Sequence, residues 1–406
     1  MTDHGRDTEA TGPDTEANGP DTEADRLTAS RRQRGLAVVM ASAVTVGLTL
    51  GMTIPLIALN MTAAGAGAAL VGINAAMPAL AVLATAPWAP RLIARFGTVQ
   101  TLVLGCVVSA AAVALFPVLD SVLAWFGLRF AMGFGLALQW VVSETWLSRI
   151  VLNANRGRAV SLYATLWAAG IAVGPMVLHV TGITGAWPFV VATGLLLLAA
   201  VPPLVGRRCV PAGGMRADGG GWSWALFRVA PGTILAGFAG GFAEIALFTL
   251  LPLYGEGAGL GQAAAVLMVS MFAAGGLGWQ LPLGWFADRV GSRRVLVIIS
   301  VLCLVFVAGF DLVAESWLIW PLLFLWGGAT SGYYTLGLTE VGHKFPLADL
   351  AHANVLFIMA YTVGTISGPS IVGAALDLWP RHGLPMTLAV LYCLYLGATA
   401  GWERRS

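Results

Sequence analysis

Residues 31–59 read RRQRGLAVVMASAVTVGLTLGMTIPLIAL: three arginines, then an apolar run without one charge. A run of that length crosses a ~30 Å hydrocarbon core as a helix. Outward from it the pattern recurs. After residue 35 the chain falls into twelve apolar stretches: 36–59, 66–88, 98–119, 122–147, 158–180, 185–205, 229–254, 262–286, 295–313, 317–342, 352–377 and 384–402. Asp, Glu, Lys and Arg make up only 10% of the residues, and most of them gather in the gaps. The expected fold class is therefore all-α integral membrane, with twelve transmembrane helices.

The basic residues orient the chain. With the N-terminus inside, one side holds Arg31, Arg32, Arg34, Arg91, Arg95, Arg149, Arg156, Arg158, Arg207, Arg208, Arg216, Arg228, Arg289, Arg293, Arg294, Lys344, Arg404 and Arg405. The loops on the other side hold only Arg381. This is the positive-inside asymmetry, and an odd number of helices would destroy it. The expected location is a bacterial inner membrane, multi-pass, with both termini cytoplasmic.

Residues 1–35 read as a disordered acidic cytoplasmic tail. Asp-Thr-Glu-Ala recurs at 7–10, 14–17 and 21–24, a seven-residue period with no apolar seam. The first apolar stretch exceeds a signal peptide's core of ~7–15 residues and is expected to stay as an anchor. The formal charge is +2; outside the first 35 residues, 17 basic and 12 acidic side chains leave +5. Orientation in the membrane explains that excess, so no nucleic acid is expected. Cys106, Cys303 and Cys393 lie in apolar stretches and Cys209 in a basic gap, without ligand spacing to each other or to His179, His343, His352 and His382. Neither a disulfide framework, a metal nor a cofactor is expected. An enzyme is not expected either. Gly133-Phe-Gly135 has no preceding strand, and no glycine-rich phosphate loop holds the single Lys344.

The chain repeats internally. Pro55 matches Pro252, the 90–97 gap matches 284–291, and Glu144 and Glu340 precede the pairs Gly174-Pro175 and Gly368-Pro369 by 30 and 28 residues. The expected domains are an N-terminal six-helix bundle (36–207), a cytoplasmic linker (208–228), a C-terminal six-helix bundle (229–402) and a short tail (403–406). Repeated halves suit alternating access, in which two bundles rock around a site near the bilayer midplane.

Gly284-Trp-Phe-Ala-Asp288-Arg289-Val-Gly291-Ser-Arg293-Arg294 resembles the signature loop of the major facilitator superfamily. Arg129-Phe-Ala-Met-Gly133-Phe-Gly135 resembles its fourth-helix motif, and Gly170-Ile-Ala-Val-Gly174-Pro175 its fifth-helix motif, seen mainly in antiporters. Trp140-Val-Val-Ser-Glu144, Asn155-Arg-Gly-Arg158 and Tyr361-Thr-Val-Gly-Thr-Ile-Ser-Gly-Pro369 look most like a bacterial YcaD-like permease branch. The resemblance implies the major facilitator fold with two pseudo-symmetric bundles. In the first-half loop Ala94 stands where the motif expects Asp, so that loop cannot form the charge network alone.

Four ionisable groups fall inside the spans away from their outermost turns: Arg129, Glu144, Glu244 and Glu340. A charge at the bilayer centre costs ~2.5–3.5 kcal/mol on insertion scales, so each needs a partner or water. The resemblance puts Arg129 near a coupling site. Glu244, near mid-membrane, is costly to hold ionised and could take up and release a proton or meet a cationic solute. A salt bridge between Glu244 and Arg129 is the alternative. Glu144, with Arg156 and Arg158 near in sequence, and Glu340, within plausible reach of Arg289, Arg293 or Arg294, read as gating latches; Asp288 belongs to the same network. Gly170, Gly174 and Pro175, with Gly364, Gly368 and Pro369, read as hinge or packing devices. Asn74, Gln139, Trp140, Trp167, Phe248, Trp279, Gln280, Tyr333, Tyr334 and Tyr361 are the possible cavity lining.

The expected function is secondary active transport of a small organic solute, proton-coupled, leaning to efflux, by a functional monomer whose partners are solute, protons and lipid. Metabolite uptake, or a membrane sensor that does not transport, are the alternatives.

Overall fold

The computed structural model describes residues 29–85, 88–151, 156–207 and 229–403. The acidic repeat, the expected linker 208–228 and residues 404–406 lie outside these. Among the described residues every regular element is a helix. They are α1 (Ala29–Ala63), α2 (Ala68–Thr85), α3 (Ala89–Phe96), α4 (Thr98–Leu115), α5 (Val122–Ile150), α6 (Arg156–Thr181), α7 (Trp187–Leu198), α8 (Val201–Val205), α9 (Pro231–Gly257), α10 (Gln262–Val290), α11 (Ser292–Val313), α12 (Ile319–Lys344), α13 (Leu347–Leu378) and α14 (Gly383–Glu403).

Three boundaries differ from the sequence reading. The tail does not run to residue 35, because α1 starts at Ala29 and is 35 residues long. At ~1.5 Å per residue it outreaches a ~30 Å core, so its first turns, with Arg31, Arg32 and Arg34, extend beyond the apolar slab. The second span stops at Thr85, and α3 is a separate short helix carrying Arg91 and Arg95. The sixth span breaks between Leu198 and Val201. Pro202 and Pro203 lack amide hydrogens and are accommodated only in the first turn of the restarted helix.

Among the described residues eleven helical segments are long and apolar enough to cross a membrane, with α7 and α8 together forming one of them, Trp187–Val205. The tenth predicted span, α12, is 26 residues long but reads GGATSGYYT over 327–335, which dilutes its apolar character. The polar stretch is largely inside: Gly327, Gly328, Thr330, Gly332 and Tyr333 are all buried. Lipid therefore sees little of it.

Small residues set the packing. In the first half α1 lies on α6, and in the second half α9 lies on α13. A methyl group added at Gly47 would collide with the Trp167 carbonyl, and one at Gly51 with the Ile171 carbonyl. Ile171 is the residue whose helical partner would be the amide of Pro175, which has no hydrogen; the glycine of α1 rests on that freed oxygen. Gly170 and Gly174 return the contact against the backbone of 44–52. The second half repeats the device: Gly241 meets Tyr361, Gly364 meets Phe238 and Gly368 meets Phe242, each at a carbonyl. Such backbone approach needs small residues and favours weak Cα–H···O contacts. Gly51→Val should cost about 1–3 kcal/mol through overpacking. The check is the temperature at which half of the detergent-purified protein is lost from the monodisperse peak; an unchanged value would refute the seam.

The bundle has a basic end, where α1 begins and α5 finishes, and an opposite end. One apolar core runs through both halves, joining Met52, Leu56, Met61, Phe116 and Leu178 of the first to Leu247, Leu251, Phe310 and Leu376 of the second. Toward the basic end this continuity is lost. Val39, Ile93, Leu102, Trp146 and Leu147 form a separate core in the first half, and Ile234, Val341, Phe345 and Phe357 another in the second. The halves are joined at one end and parted at the other.

Candidate functional site

The parted face is where polar and aromatic side chains emerge. Glu144 of α5 is exposed, and its Oε1 accepts from the Trp140 indole nitrogen at 2.8 Å one turn earlier. Across the gap, Tyr334 of α12 is 37% exposed and packs edge-on against Tyr361 of α13, with ring centroids 5.1 Å apart. The Tyr361 hydroxyl donates to Glu244 Oε2 of α9 at 2.8 Å. Tyr334 lies within electrostatic reach of both Glu144 and Glu244. Residues from opposite halves therefore share one space, with a carboxyl on each side and aromatic rings between. Counted along the helices, Glu244 is 13 residues (~20 Å) from the start of α9 and Glu144 only six (~9 Å) from the end of α5. The acids sit at two depths, one central and one nearer the basic mouth.

Arg129 is not in that space. It is 3% exposed inside the first half, where Nη1 donates to the Thr53 carbonyl of α1 at 3.5 Å and Nε has no partner. The alternative bridge between Arg129 and Glu244 is not formed, because each finds its hydrogen bond on a different helix.

Most of the expected lining is core instead. Gln139 is 1% exposed and wedged between α4 and α5, its Nε2 3.4 Å from Ser109 Oγ. Asn74 is buried in α2, with Nδ2 unpartnered. Tyr333, next to the exposed Tyr334, points the other way; its hydroxyl donates to Ser300 Oγ at 2.6 Å and its ring stacks on Tyr392. Phe248 is buried edge-on against Phe272, and Trp279 lies on Gly328 between α10 and α12. Trp167 packs partly buried against the shared core and the separate first-half core, and Gln280 is half-buried. Of the expected lining, exposed Trp140 and half-buried Tyr361 each bond an acid, and exposed Tyr334 packs on Tyr361.

At the opposite end the halves are clasped. Asp377, near the end of α13, accepts from the Ala68 and Ala69 amides at 2.7 and 2.9 Å. Those amides open α2 and have no partner within their own helix. Below the clasp, added methyl groups at Gly72 and Gly373 would strike the carbonyls of Pro369 and Ala68.

This architecture is that of known transporters. The model of the Major Facilitator Superfamily matches residues 39–369 and again 234–405. The chain belongs to that superfamily. It is 27% identical over 369 residues to the uncharacterized MFS-type transporter YfkF of Bacillus subtilis (strain 168), covering 88% of this chain and 94% of that protein. An uncharacterized MFS-type transporter of Enterobacter sp. (strain 638) is 26% identical over 314 residues, 75% of this chain and 79% of the relative. Among solved structures, a mutant of the nucleoside transporter NupG superposes with a TM-score of 0.77 at 14% identity, over 90% of this chain and 99% of its own. A bacterial homolog of the human lysosomal transporter Spinster, in an inward-facing and unoccupied conformation, gives 0.73 at 12%, over 92% and 96%. At these identities the structural likeness speaks for the fold.

The superfamily's signature loop is present, but its contacts differ from those expected. Glu340 is 3.4 Å from Lys344 one turn on, not bridged to Arg289 or Arg294. Arg293 lines the same cavity of about 130 Å³ as Glu340, Lys344 and Tyr395. Arg289 lies over the Trp285 ring, 3.5 Å from its centroid. Asp288 and Arg294 are exposed. Glu144 bonds Trp140, while Arg158 and Arg32 line a separate cavity; the side chains of Arg149 and Arg156 lie outside the described residues. Sequence reasoning missed two features of this superfamily member. One is Asp377, whose only signal was an acid in the last turn of a span. The other is a brace in the second half, where Asp311 joins the Tyr254 hydroxyl to His382 Nδ1, the latter at 2.7 Å.

Proposed function

We propose that this membrane transporter of the Major Facilitator Superfamily is a proton-coupled exporter of a small organic solute. In this reading the basic end faces the cytoplasm of a bacterial inner membrane, both termini are cytoplasmic, and the 36–207 and 229–402 bundles, joined by 208–228, rock as a functional monomer. In this reading it is a YcaD-like permease, a branch its 140–144, 155–158 and 361–369 motifs resemble. The observation that carries the reading is the single core that joins the halves at one end and splits in two at the other. A molecule so arranged offers its centre to one side and seals it from the other, one of the two states alternating access requires. Glu244 is the proton carrier in this scheme. It sits near mid-span, and its hydrogen-bond partner is neutral Tyr361, so protonation leaves no cation uncompensated. Arg129, with an unused donor, waits in the first half for the other state. Glu144 guards the mouth, and Asp288, Arg289, Arg293, Arg294, Glu340, Arg156 and Arg158 form the gating network. Gly170, Gly174, Pro175, Gly364, Gly368 and Pro369 are the hinge and seam.

The test is transport. Purified protein in liposomes holding a pH-sensitive dye, given a pH gradient and a panel of metabolites and organic cations, should show compound-dependent proton flux with the sign of antiport. Flux with the sign of symport would make it an uptake protein. Binding without proton or solute flux would remove the transport reading in favour of a sensor.

A further inference from the structure

Resting on the proposed transport reading, we infer that the space between Glu144 and Glu244 is a binding site for an organic cation with an apolar or aromatic body. Three observations carry this. The two carboxyls come from opposite halves, yet their hydrogen-bond partners are neutral, the Trp140 indole and the Tyr361 phenol. Neither bond is with a cation, so a positive solute would supply charge compensation that these bonds do not. Aromatic rings border the acids: Trp140 is 45% exposed and Tyr334 37% exposed, while their sequence neighbours Gln139 and Tyr333 are buried. A cation over such faces is attracted by the ring quadrupole, most strongly for Trp. An anion would meet two carboxylates and electron-rich rings.

The two depths give the site direction. Glu144 and Trp140 lie nearer the basic mouth, Tyr361 and Glu244 are deeper, and Tyr334 packs edge-on against Tyr361. A cation entering from the basic end passes from the first carboxyl to the second over rings, without a long unpaired step. Arrival at Glu244 displaces its proton, because one acid cannot hold both. Solute and proton then compete for one group, and the exchange balances one positive charge against another.

The probe is a pair of ions of one shape and opposite sign, tetraphenylphosphonium and tetraphenylborate. Binding to the detergent-purified full chain is measured by equilibrium dialysis against protein-free detergent. The phosphonium should bind saturably and the borate should not. Glu144→Gln should weaken phosphonium binding at least about tenfold, as loss of a charge-assisted contact does, and Trp140→Ala about 3- to 30-fold. Trp140→Phe should recover part of that loss, which a purely structural role would not predict. Glu144 is exposed, so its glutamine variant should keep its melting temperature; if it does not, protection of Glu244 by phosphonium against carbodiimide labelling in the unmodified protein takes its place. Borate binding as tight as phosphonium, unchanged affinity in both variants, or no protection would overturn the proposal. The two readings fail separately. Proton flux driven by a neutral or anionic metabolite, with no phosphonium binding, would sink the cation site and leave transport standing. Phosphonium binding sensitive to Glu144→Gln, without any flux, would do the reverse.

Discussion

Glu244→Gln is expected to bring pH-driven flux down to the level of protein-free liposomes while leaving the protein folded. The substitution keeps the side chain's volume and an acceptor for the Tyr361 hydroxyl, 2.8 Å away, and removes only the titratable proton. If Glu244 carries that proton, no other group at mid-span stands ready to replace it. Arg129 is a permanent cation held in the first half against the Thr53 carbonyl, and Glu144 lies nearer the mouth. The variant should still exchange between its closed and open forms, because the carbonyl-to-glycine seams that define the bundles are untouched, but a cationic solute would lose its deeper carboxylate as well. Tyr361→Phe, which leaves a carboxyl oxygen without its donor, should give an intermediate rate; a lost hydrogen bond to a charged group costs about 1.5–3 kcal/mol. The measurement is the rate of dye response in liposomes under an imposed gradient. Normal pH-driven flux in Glu244→Gln would remove the coupling role outright.

Asp377→Ala is expected to open the sealed end. In the structure the carboxylate accepts from both Ala68 and Ala69 amides, bridging α13 of one half to the start of α2 in the other. Loss of such a cap costs about 0.5–2 kcal/mol, and the negative charge adds about 0.3–1 kcal/mol against the helix dipole. Because the contact spans the halves, the cost falls on the closed state alone. A loss of about 1.4–2 kcal/mol moves the balance between closed and open forms by roughly 10- to 30-fold. Spin labels at Ala64→Cys and Trp379→Cys, both exposed at that end, would report a second, longer distance. Asp377→Asn, retaining one acceptor, should shift the distribution less. An Asp377→Ala distribution identical to that of the unmodified protein would show that the clasp carries no conformational weight.

The fold was legible because membrane solvation leaves few choices. Runs such as 36–59 must become helices, and arginines at one set of ends fix how they alternate. The recurrence of Pro55 and Pro252 and of the two Gly-Pro pairs announced the two halves, and the glycines of those pairs lie against the backbones of α1 and α9. Helix facing was much less legible. Tyr333 and Tyr334 are neighbours in sequence, at the same depth, with the same hydrogen-bonding chemistry. One is wholly buried against Ser300 and the other opens on the cleft, because successive residues turn by about 100° around a helix. Gln139 and Asn74 failed as lining for the same reason: polarity at mid-span marks either a cavity or a buried helix contact, and a single sequence does not distinguish them. The partner of Asp377 is the backbone some 300 residues away, and backbone leaves no trace in side-chain patterns. Glu340 shows the opposite case, since its ion-pair partner Lys344, 3.4 Å away, lies one helical turn along the same sequence.

The sealed end closes where Gly72 and Gly373 press on the Pro369 and Ala68 carbonyls, main chain against main chain. A door of that construction is blind to cargo. It recognises no solute, so substitutions that retune the cleft for another compound leave it unaltered, and a lineage can change what it carries without relearning how to shut. The cost is brittleness. At those two glycines almost any side chain props the door ajar, so drift there threatens the membrane's proton barrier before it touches specificity.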